Sequence, residues 1–268
     1  MNLNKYTRRE SIEVAIGTTK IGGSNPIAVQ SMTNTATADV AASVAQTKRI
    51  ADAGAPIVRL TAQGKKEGEA FAQIIPQLRA EGYNTAIVAD IHFVPEIASI
   101  AADYVDKVRI NPGNYRTEGG EFEALIEKCR KRGVALRIGV NHGSLARHIF
   151  DKYGDTPQGM VASAMEFLER CVKADFNQVA VSMKSSNTRV MVHAYRLLVE
   201  AMESAGMKFP IHLGVTEAGT LLGGTIKNSM GIGILLSQGI GDTLRVSLTA
   251  DPVEEVKVGW QILKGLGI

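Results

Sequence analysis

The chain has 268 residues, of which 45% are hydrophobic and 21% are charged, a composition typical of a globular protein. Lys and Arg number 30 and Asp and Glu number 27, so the formal net charge is only +3, and aromatic residues make up 5%. This balance disfavours a nucleic-acid-coating or base-stacking protein. No apolar run of membrane-spanning length is present, and the N-terminus lacks the apolar segment of a signal peptide.

Two cysteines, Cys129 and Cys171, lie in stretches with a helical pattern. So few cysteines in a chain of this size argue against a disulfide scaffold, and we expect both to be buried thiols. Free thiols are typical of a reducing compartment, so the sequence predicts a cytoplasmic location.

The first predicted element is a hairpin over residues 11–23, where apolar positions alternate around a Gly-Thr-Thr turn. Short, β-branched, apolar strands then alternate with amphipathic helices. The predicted strands are 26–33, 56–62, 85–92, 107–113, 135–141, 178–184, 210–217 and 243–249. The predicted helices are 39–54, 67–82, 94–104, 120–133, 159–174, 187–206, 225–241 and 251–267.

Strict alternation of strands and helices predicts parallel strands joined by crossover helices. Eight such units in a chain of this length favour a closed α/β barrel of the TIM type, (β/α)8. A doubly wound open sheet competes with it, but no G-x-G-x-x-G fingerprint follows the first strand. We expect an N-terminal arm and hairpin over residues 1–24 that plugs the bottom of a barrel over residues 25–268.

An arginine interrupts each of four predicted apolar strands. Side chains along a barrel strand alternate between the lumen and the helices. The neighbours of opposite parity, such as Val58 and Leu60, are wholly apolar and must meet the helices, so the arginines face inward. The inward parity contains Arg59, Thr61, Asp90, His92, Arg109, Asn111, Arg137, Gly139, Asn141, Ser182, Lys184, Arg245 and Ser247.

These cations converge toward one end of the lumen, where the strand patterns offer Asp90 and Glu217 as carboxylates. An unpaired buried guanidinium is costly, and its planar fork suits phosphate oxygens, so a bound polyanion would compensate the charge. The glycine-rich stretch 217–233 adds backbone N–H groups and a helix N-terminus, which also favour phosphate.

Structural ion pairs with loop carboxylates are the alternative for each arginine. His92 alone could be a core histidine, Lys184 a surface lysine and Glu217 a carboxylate at a helix start. The remaining histidines are given no catalytic role: His142, His148, His193 and His212.

Seven motifs, in order from about residue 5 to the end, resemble the 4-hydroxy-3-methylbut-2-enyl diphosphate synthase family of the non-mevalonate isoprenoid pathway. The motifs are VQSMTNT (29–35), VADIHF (88–93), VRINPGN (108–114), LRIGVNHGSL (136–145), VSMKSSN (181–187), HLGVTEAG (212–219) and GIGDTLRVSLTADPVEEV (239–256).

The resemblance implies an oxidoreductase that reductively opens the ring of 2-C-methyl-D-erythritol 2,4-cyclodiphosphate. It implies a 4Fe–4S cluster on a separate C-terminal domain, flavodoxin or ferredoxin as electron donor, and a homodimer in which one subunit's cluster domain closes over the other's barrel. The residues implied to surround the diphosphate are Arg59, Arg109, Asn111, Arg137, Asn141, Lys184, Arg245 and Ser247. The implied catalytic residues, near the carbon skeleton, are Asp90, His92 and Glu217.

The sequence departs from that family in its cysteines. It has no C-x-x-C, and neither Cys129 nor Cys171 matches a cluster ligand, so we expect no metal ligand in this chain. Because the sequence stops at LKGLGI, we expect a truncated or processed fragment, or a barrel that receives its cluster domain from another chain, and no activity from the barrel alone. Two further hypotheses stay open: an enzyme resembling dihydropteroate synthase, and a non-catalytic barrel that binds a phosphorylated ligand.

Overall fold

The computed structural model describes residues 6–92, 94–115 and 119–268. An antiparallel hairpin, β1 (Val14–Ile16) and β2 (Thr19–Ile21), precedes a sheet of eight parallel strands. These strands are β3 (Ala28–Met32), β4 (Ile57–Ala62), β5 (Ala86–Ile91), β6 (Lys107–Ile110), β7 (Ala135–Asn141), β8 (Val179–Lys184), β9 (His212–Leu213) and β10 (Thr243–Leu244).

Helices connect the strands across the outside of the sheet. In the described part of the chain they are α1 (Val40–Asp52), α2 (Lys65–Ala80), α3 (Pro95–Ala101), α4 (Glu121–Arg132), α5 (Arg147–Tyr153), α6 (Pro157–Lys173), α7 (Thr188–Ser204), α8 (Leu221–Ser237) and α9 (Pro252–Leu266). The sequence did not predict the short helix α5, which lies in the connection between β7 and α6.

The sheet forms a nearly closed barrel. Strands β3 to β8 pair in chain order, and β10 pairs with both β3 and β9. An isolated parallel bridge between Val181 on β8 and Ile211 just before β9 brings the two ends together. The predicted TIM-type fold is confirmed.

Strands β9 and β10 are shorter than the sequence predicts, and after β10 the chain bonds outside the sheet. Ser247 N donates to Asn228 Oδ1 at 3.4 Å, and Leu248 N donates to a carboxylate oxygen of Glu255 at 3.1 Å. Thr249 N donates to the carbonyl of Gly219 at 2.9 Å. Residues 247–249 therefore bond to α8, α9 and a loop instead of a neighbouring strand.

The main hydrophobic core lies between the sheet and the helices. Strand residues of the predicted outward parity, such as Val58, Leu60, Ile138 and Val181, are fully buried in it together with helix residues. The parity that turns the arginines inward is therefore confirmed.

The hairpin closes the N-terminal end of the barrel, as predicted. Val14, Ile16 and Ile21 are fully buried in a second cluster, which includes lumen-facing residues at the start of the strands: Ala28, Ile57, Ala86, Val88, Ala135 and Ala180. Ala15 N donates to Gln178 Oε1 at 3.0 Å, just before β8. Residues 1–5 of the predicted arm lie outside the described residues, as does Phe93, and the division at residue 24 stays a prediction.

Both cysteines are buried free thiols, as expected. Across residues 6–92, 94–115 and 119–268, no helix combines the length and the apolar character needed to cross a membrane.

Candidate functional site

Six cationic side chains have the inward parity of the barrel strands or follow a strand directly. Five are almost completely buried, and Arg245 keeps 16% of its side-chain surface exposed. The six are Arg59 on β4, Lys107 and Arg109 on β6, Arg137 on β7, Lys184 on β8, and Arg245 just after β10. The structure thus brings the four predicted arginines and Lys184 together, and it adds Lys107.

Asp90 on β5 joins two of these arginines. Its Oδ1 lies 2.9 Å from Arg109 Nη1, and its Oδ2 lies 3.3 Å from Arg59 Nε. Burial opposes ionisation of this carboxyl, but the charges of Arg59 and Arg109 outweigh it and hold the pKa of Asp90 well below its usual range. Asp90 is therefore a carboxylate, and it fixes both guanidinium groups before any ligand arrives.

Arg109 fills space that a glycine leaves open. Its Nη2 donates to the carbonyl of Gly139 at 2.8 Å and to Asn141 Oδ1 at 3.3 Å. A Cβ at position 139 would collide with Arg109 Nε. At Gly214 a Cβ would lie 2.9 Å from the carbonyl oxygen of Arg245 and 3.2 Å from Lys184 Nζ. These two glycines make room for the cations.

Arg245 is held by Glu255 on α9, a residue that the sequence analysis missed. Arg245 Nε and Nη2 lie 3.1 and 2.8 Å from the two oxygens of this fully buried carboxylate. Ser31 Oγ also donates to it at 2.8 Å. The signal was present in the sequence, because Glu255 lies on the same face of α9 as the buried Val256, Gly259 and Ile262.

Three cations lack such a partner among the described residues. None of the three nitrogens of Arg137 has a hydrogen bond, nor does Lys107 Nζ, and both side chains are fully buried. Lys184 is 6% exposed, and its ammonium has no ion-pair partner in the described part of the chain. Burial, with repulsion from neighbouring arginines, lowers the pKa of each of the three well below its usual value.

The pKa of Arg59 is also lowered, although this arginine forms an ion pair with Asp90. Burial lowers the pKa of Arg59 to about 10, with repulsion from Arg245 and Arg109 adding to the effect and Asp90 opposing it. Among the described residues, two carboxylates, Asp90 and Glu255, form ion pairs with three of these six cations. The site therefore has a surplus of positive charge and the geometry to receive an anion.

The polar and acidic candidates lie around this cluster. Asn111 Nδ2 donates to Ser144 Oγ at 3.0 Å, and His92 Nε2 lies 3.8 Å from Asp90 Oδ2. Ser247 is half-buried after β10. Glu217 is exposed after β9, with a left-handed backbone of φ 50°. A glutamate seldom adopts this conformation, and residues that do are concentrated at functional sites.

The described residues do not form a site that fits an iron–sulfur cluster. Among the described residues, no group of three or more His, Cys, Asp or Glu side chains could hold a metal ion. Cys129 on α4 and Cys171 on α6 are fully buried. Burial raises the pKa of each thiol to about 12, which opposes the thiolate that a metal needs.

The comparisons with known proteins agree with this architecture. Residues 11–260 match the family described as the GcpE TIM-barrel domain. The chain belongs to this family. A protein of Phocaeicola vulgatus named 4-hydroxy-3-methylbut-2-en-1-yl diphosphate synthase (flavodoxin) is 52% identical over 98% of this chain and 46% of its own length. A protein of Arabidopsis thaliana named 4-hydroxy-3-methylbut-2-en-1-yl diphosphate synthase (ferredoxin), chloroplastic, is 46% identical over 95% of this chain and 37% of its own length.

The chain therefore spans less than half the length of these curated relatives. Solved structures with the same fold are more distant. Dihydropteroate synthase of Yersinia pestis has a TM-score of 0.62 at 15% identity, covering 96% of this chain and 99% of its own. Type I 3-dehydroquinate dehydratase of Clostridium difficile has a TM-score of 0.64 at 12% identity, covering 96% of this chain and 98% of its own. At such identity the likeness shows the fold alone.

Proposed function

We propose that this chain is the substrate-binding barrel of a 4-hydroxy-3-methylbut-2-enyl diphosphate synthase. The substrate is 2-C-methyl-D-erythritol 2,4-cyclodiphosphate, whose ring the whole enzyme opens by reductive removal of a hydroxyl group. The observation that carries this proposal is the set of buried cations in one lumen, in which Arg137, Lys107 and Lys184 have no ion-pair partner among the described residues. The names of relatives that are 52% and 46% identical to this chain support its assignment to this synthase.

The cations divide into two groups with different parts in binding. Arg59, Arg109 and Arg245 are already oriented by carboxylates, so their remaining N–H groups are fixed in place for phosphate oxygens. Arg137 and Lys184 are free to pair with the ligand itself. Positive charge arranged in advance around the diphosphate stabilises the charge that develops on the phosphate oxygen as the C–O bond breaks.

Neutral and acidic residues complete the proposed site. Asn111, Asn141 and Ser247 supply further hydrogen-bonding groups to the diphosphate. Glu217 and His92 lie at the mouth, where a side chain can orient a substrate hydroxyl or hold a proton. Asp90 acts on the substrate through the arginines that it orients.

The electron-transfer parts of the enzyme are also proposals. The relatives' names contain flavodoxin or ferredoxin, and we assign this barrel to an enzyme that takes electrons from one of them. The resemblance implies a 4Fe–4S cluster, but the two buried thiols of this chain do not fit it. We therefore confine the part of this chain to binding and orienting the diphosphate, and we expect no turnover from the barrel alone. The cytoplasmic location stays a prediction.

A homodimer is supported by an exposed apolar stripe on α8. Leu222, Ile226, Met230 and Ile234 follow one another at intervals of four residues and are 39–74% exposed. Because these four side chains are uncharged, they can meet their own copies without repulsion, as a two-fold interface requires. We expect Ile226→Lys to convert a dimer into a monomer in sedimentation, while Val172→Lys, at a similarly exposed position on α6, leaves the dimer intact. A monomeric starting protein would contradict this assignment.

Calorimetry with the cyclodiphosphate tests the proposed function. We expect the unchanged chain to bind it and Arg137→Met to bind at least roughly 100-fold more weakly, because a buried guanidinium paired with phosphate is lost. Arg132→Met, which removes an exposed arginine from α4, is the matched control and should bind normally. Equal affinity of the unchanged chain and the Arg137 variant would overturn the proposal.

The same instrument decides the competing hypotheses. Because this chain shares its fold with dihydropteroate synthase, a calorimetric titration with a pterin is the second measurement. Pterin binding without cyclodiphosphate binding would favour the dihydropteroate-synthase-like enzyme. Cyclodiphosphate binding that no complementing cluster domain converts into turnover would favour the non-catalytic phospholigand-binding barrel.

A further inference from the structure

A layer of buried polar groups without partners surrounds Arg137 in the lumen. Ser182 Oγ, His212 Nε2 and Lys107 Nζ have no hydrogen bond among the described residues, and neither do the two amide atoms of Gln30. The residues are 0–1% exposed. Such groups are rare in folded proteins, because an unpaired buried polar atom loses its hydration without compensation.

Lys107 is an ionisable group in this layer whose surroundings are unfavourable to its charge. The residues paired with it on the neighbouring strands are Val88 on β5 and Ala135 on β7, both apolar. The hairpin beneath the lumen contributes Val14, Ile16 and Ile21, which are also apolar.

The charged and titratable groups that act on Lys107 are cations or neutral. Arg137 on β7 and Arg59 on β4 repel its ammonium, and Lys107 in turn disfavours the charged form of His212 on β9. Asp90 on β5 is paired with Arg59 and Arg109, and among the described residues it makes no ion pair with Lys107. A buried ammonium with no carboxylate partner gives up its proton readily.

An anion bound above this layer would favour the ammonium form of Lys107. Two phosphate charges paired with Arg137 and Lys184 would offset the repulsion that Lys107 experiences from the arginines. An opposite charge within several ångströms favours the charged form of an amine, so the same side chain would then accept a proton.

We propose that Lys107 is a positioning residue that is a neutral amine in the empty barrel and an ammonium when an anionic ligand is bound. The lone pair of Nζ accepts the proton from solvent, and no bond of the ligand changes. Ligand binding by this barrel is therefore coupled to proton uptake. The inference rests on the proposed function and deepens it, because it identifies the group that adjusts the charge of the pocket to that of the ligand.

The cyclodiphosphate is a suitable probe because of its acidity. Each phosphorus carries a single ionisable oxygen of the strongly acidic kind, so the ligand does not titrate near neutral pH. Inorganic pyrophosphate does titrate there and would confuse the proton count. A proton taken up on binding the cyclodiphosphate must therefore enter the protein.

Calorimetry at pH 8 in two buffers with different ionisation enthalpies measures that proton. We expect the unchanged chain to take up about one proton per ligand, and Lys107→Met to lose most of this uptake and to bind roughly 10-fold more weakly. Lys131→Met, which removes an exposed lysine from α4, is the matched control and should keep both values.

The outcomes separate the two proposals. Binding without proton uptake by the unchanged chain would overturn this inference and leave the proposed function standing. Uptake that is equal in the Lys107 variant would also overturn it, and would point to Lys184 or His212. Absence of binding would overturn the proposed function, and this inference with it.

A ligand-free measurement tests the neutral amine directly. In the unfolded chain a lysine stays protonated up to about pH 10.4. If Lys107 is neutral in the folded barrel, unfolding takes up a proton, and the stability of the folded state rises with pH until the unfolded lysine also loses its proton. We expect the urea midpoint of the unchanged chain to rise relative to that of Lys107→Met between pH 7 and pH 9. Midpoints that move in parallel would overturn the inference.

Discussion

The two ends of the barrel lumen are built from the same strands, yet their side chains have opposite characters. At the N-terminal end, alanines and aliphatic residues such as Ile57 and Val88 pack against the apolar hairpin. Toward the C-terminal end, the same inward parity carries arginines, Lys184 and Asp90. The fold fixes which side chains point inward, and the residue chosen at each level decides whether that level contributes stability or binding.

The carboxylate of Asp90 contributes both to stability and to the proposed binding site. Its removal should therefore have the largest effect on the free energy of unfolding. Asp90→Asn leaves Arg59 and Arg109 buried without a counter-charge, and we expect a loss of about 3–5 kcal/mol in the free energy of unfolding. Urea unfolding at pH 7 measures this loss. A change below about 1 kcal/mol would contradict the view that Asp90 holds the two arginines.

The pH dependence of stability tests whether the ionised form of Asp90 stabilises the folded chain. The folded pKa of Asp90 is held well below its usual range, so its contribution is fully present above the unfolded pKa of about 3.9. That contribution is lost as the pH falls from there toward the folded pKa. The difference in stability between the unchanged chain and Asp90→Asn should therefore shrink below about pH 4, and a difference that stays constant with pH would be evidence against this linkage.

At the opposite end, Ile16→Ala should affect stability alone. Ile16 is fully buried in the hairpin cluster, and its truncation leaves a cavity that costs about 3 kcal/mol. The affinity for the cyclodiphosphate should stay within about 2-fold of the unchanged value, because the four arginines and Lys184 are untouched. A larger loss of affinity would show that the two ends of the lumen are coupled.

The smallest expected effect is at Gly139. A methyl group there collides with Arg109 Nε and displaces the guanidinium from its position near Asp90. We expect Gly139→Ala to weaken cyclodiphosphate binding by roughly 10-fold. Gly82→Ala is a control for the loss of a glycine far from the cations, with open space at its Cβ position but a left-handed backbone, φ 83°, that makes it slightly destabilising. Equal affinity of the two variants would argue against a steric role for Gly139.

Much of the fold followed from local patterns. The alternation of β-branched strands with amphipathic helices predicted the barrel, and the alternating Val14, Ile16 and Ile21 predicted the plug. The missed elements are those that depend on distant contacts. Helix α5 lies within a connection, and the chain after β10 leaves the sheet because Asn228 and Glu255 bind its backbone.

The candidate site was predicted less completely. Parity alone brought the four arginines and Lys184 to one lumen. It did not identify Glu255, which lies on a helix, or Lys107, which begins the strand that contains Arg109. The roles of Glu217 and His92 stay predictions, as do the individual diphosphate contacts.

The sequence by itself determined which face of each strand a side chain occupies, since that depends on a two-residue period carried by neighbouring residues. Only the tertiary structure decided which charges meet. Asp90 lies opposite Arg109 through the register of β5 and β6, and Glu255 reaches Arg245 from a helix. These pairings depend on how strands and helices stack in three dimensions, and they leave Arg137 and Lys107 without a carboxylate among the described residues.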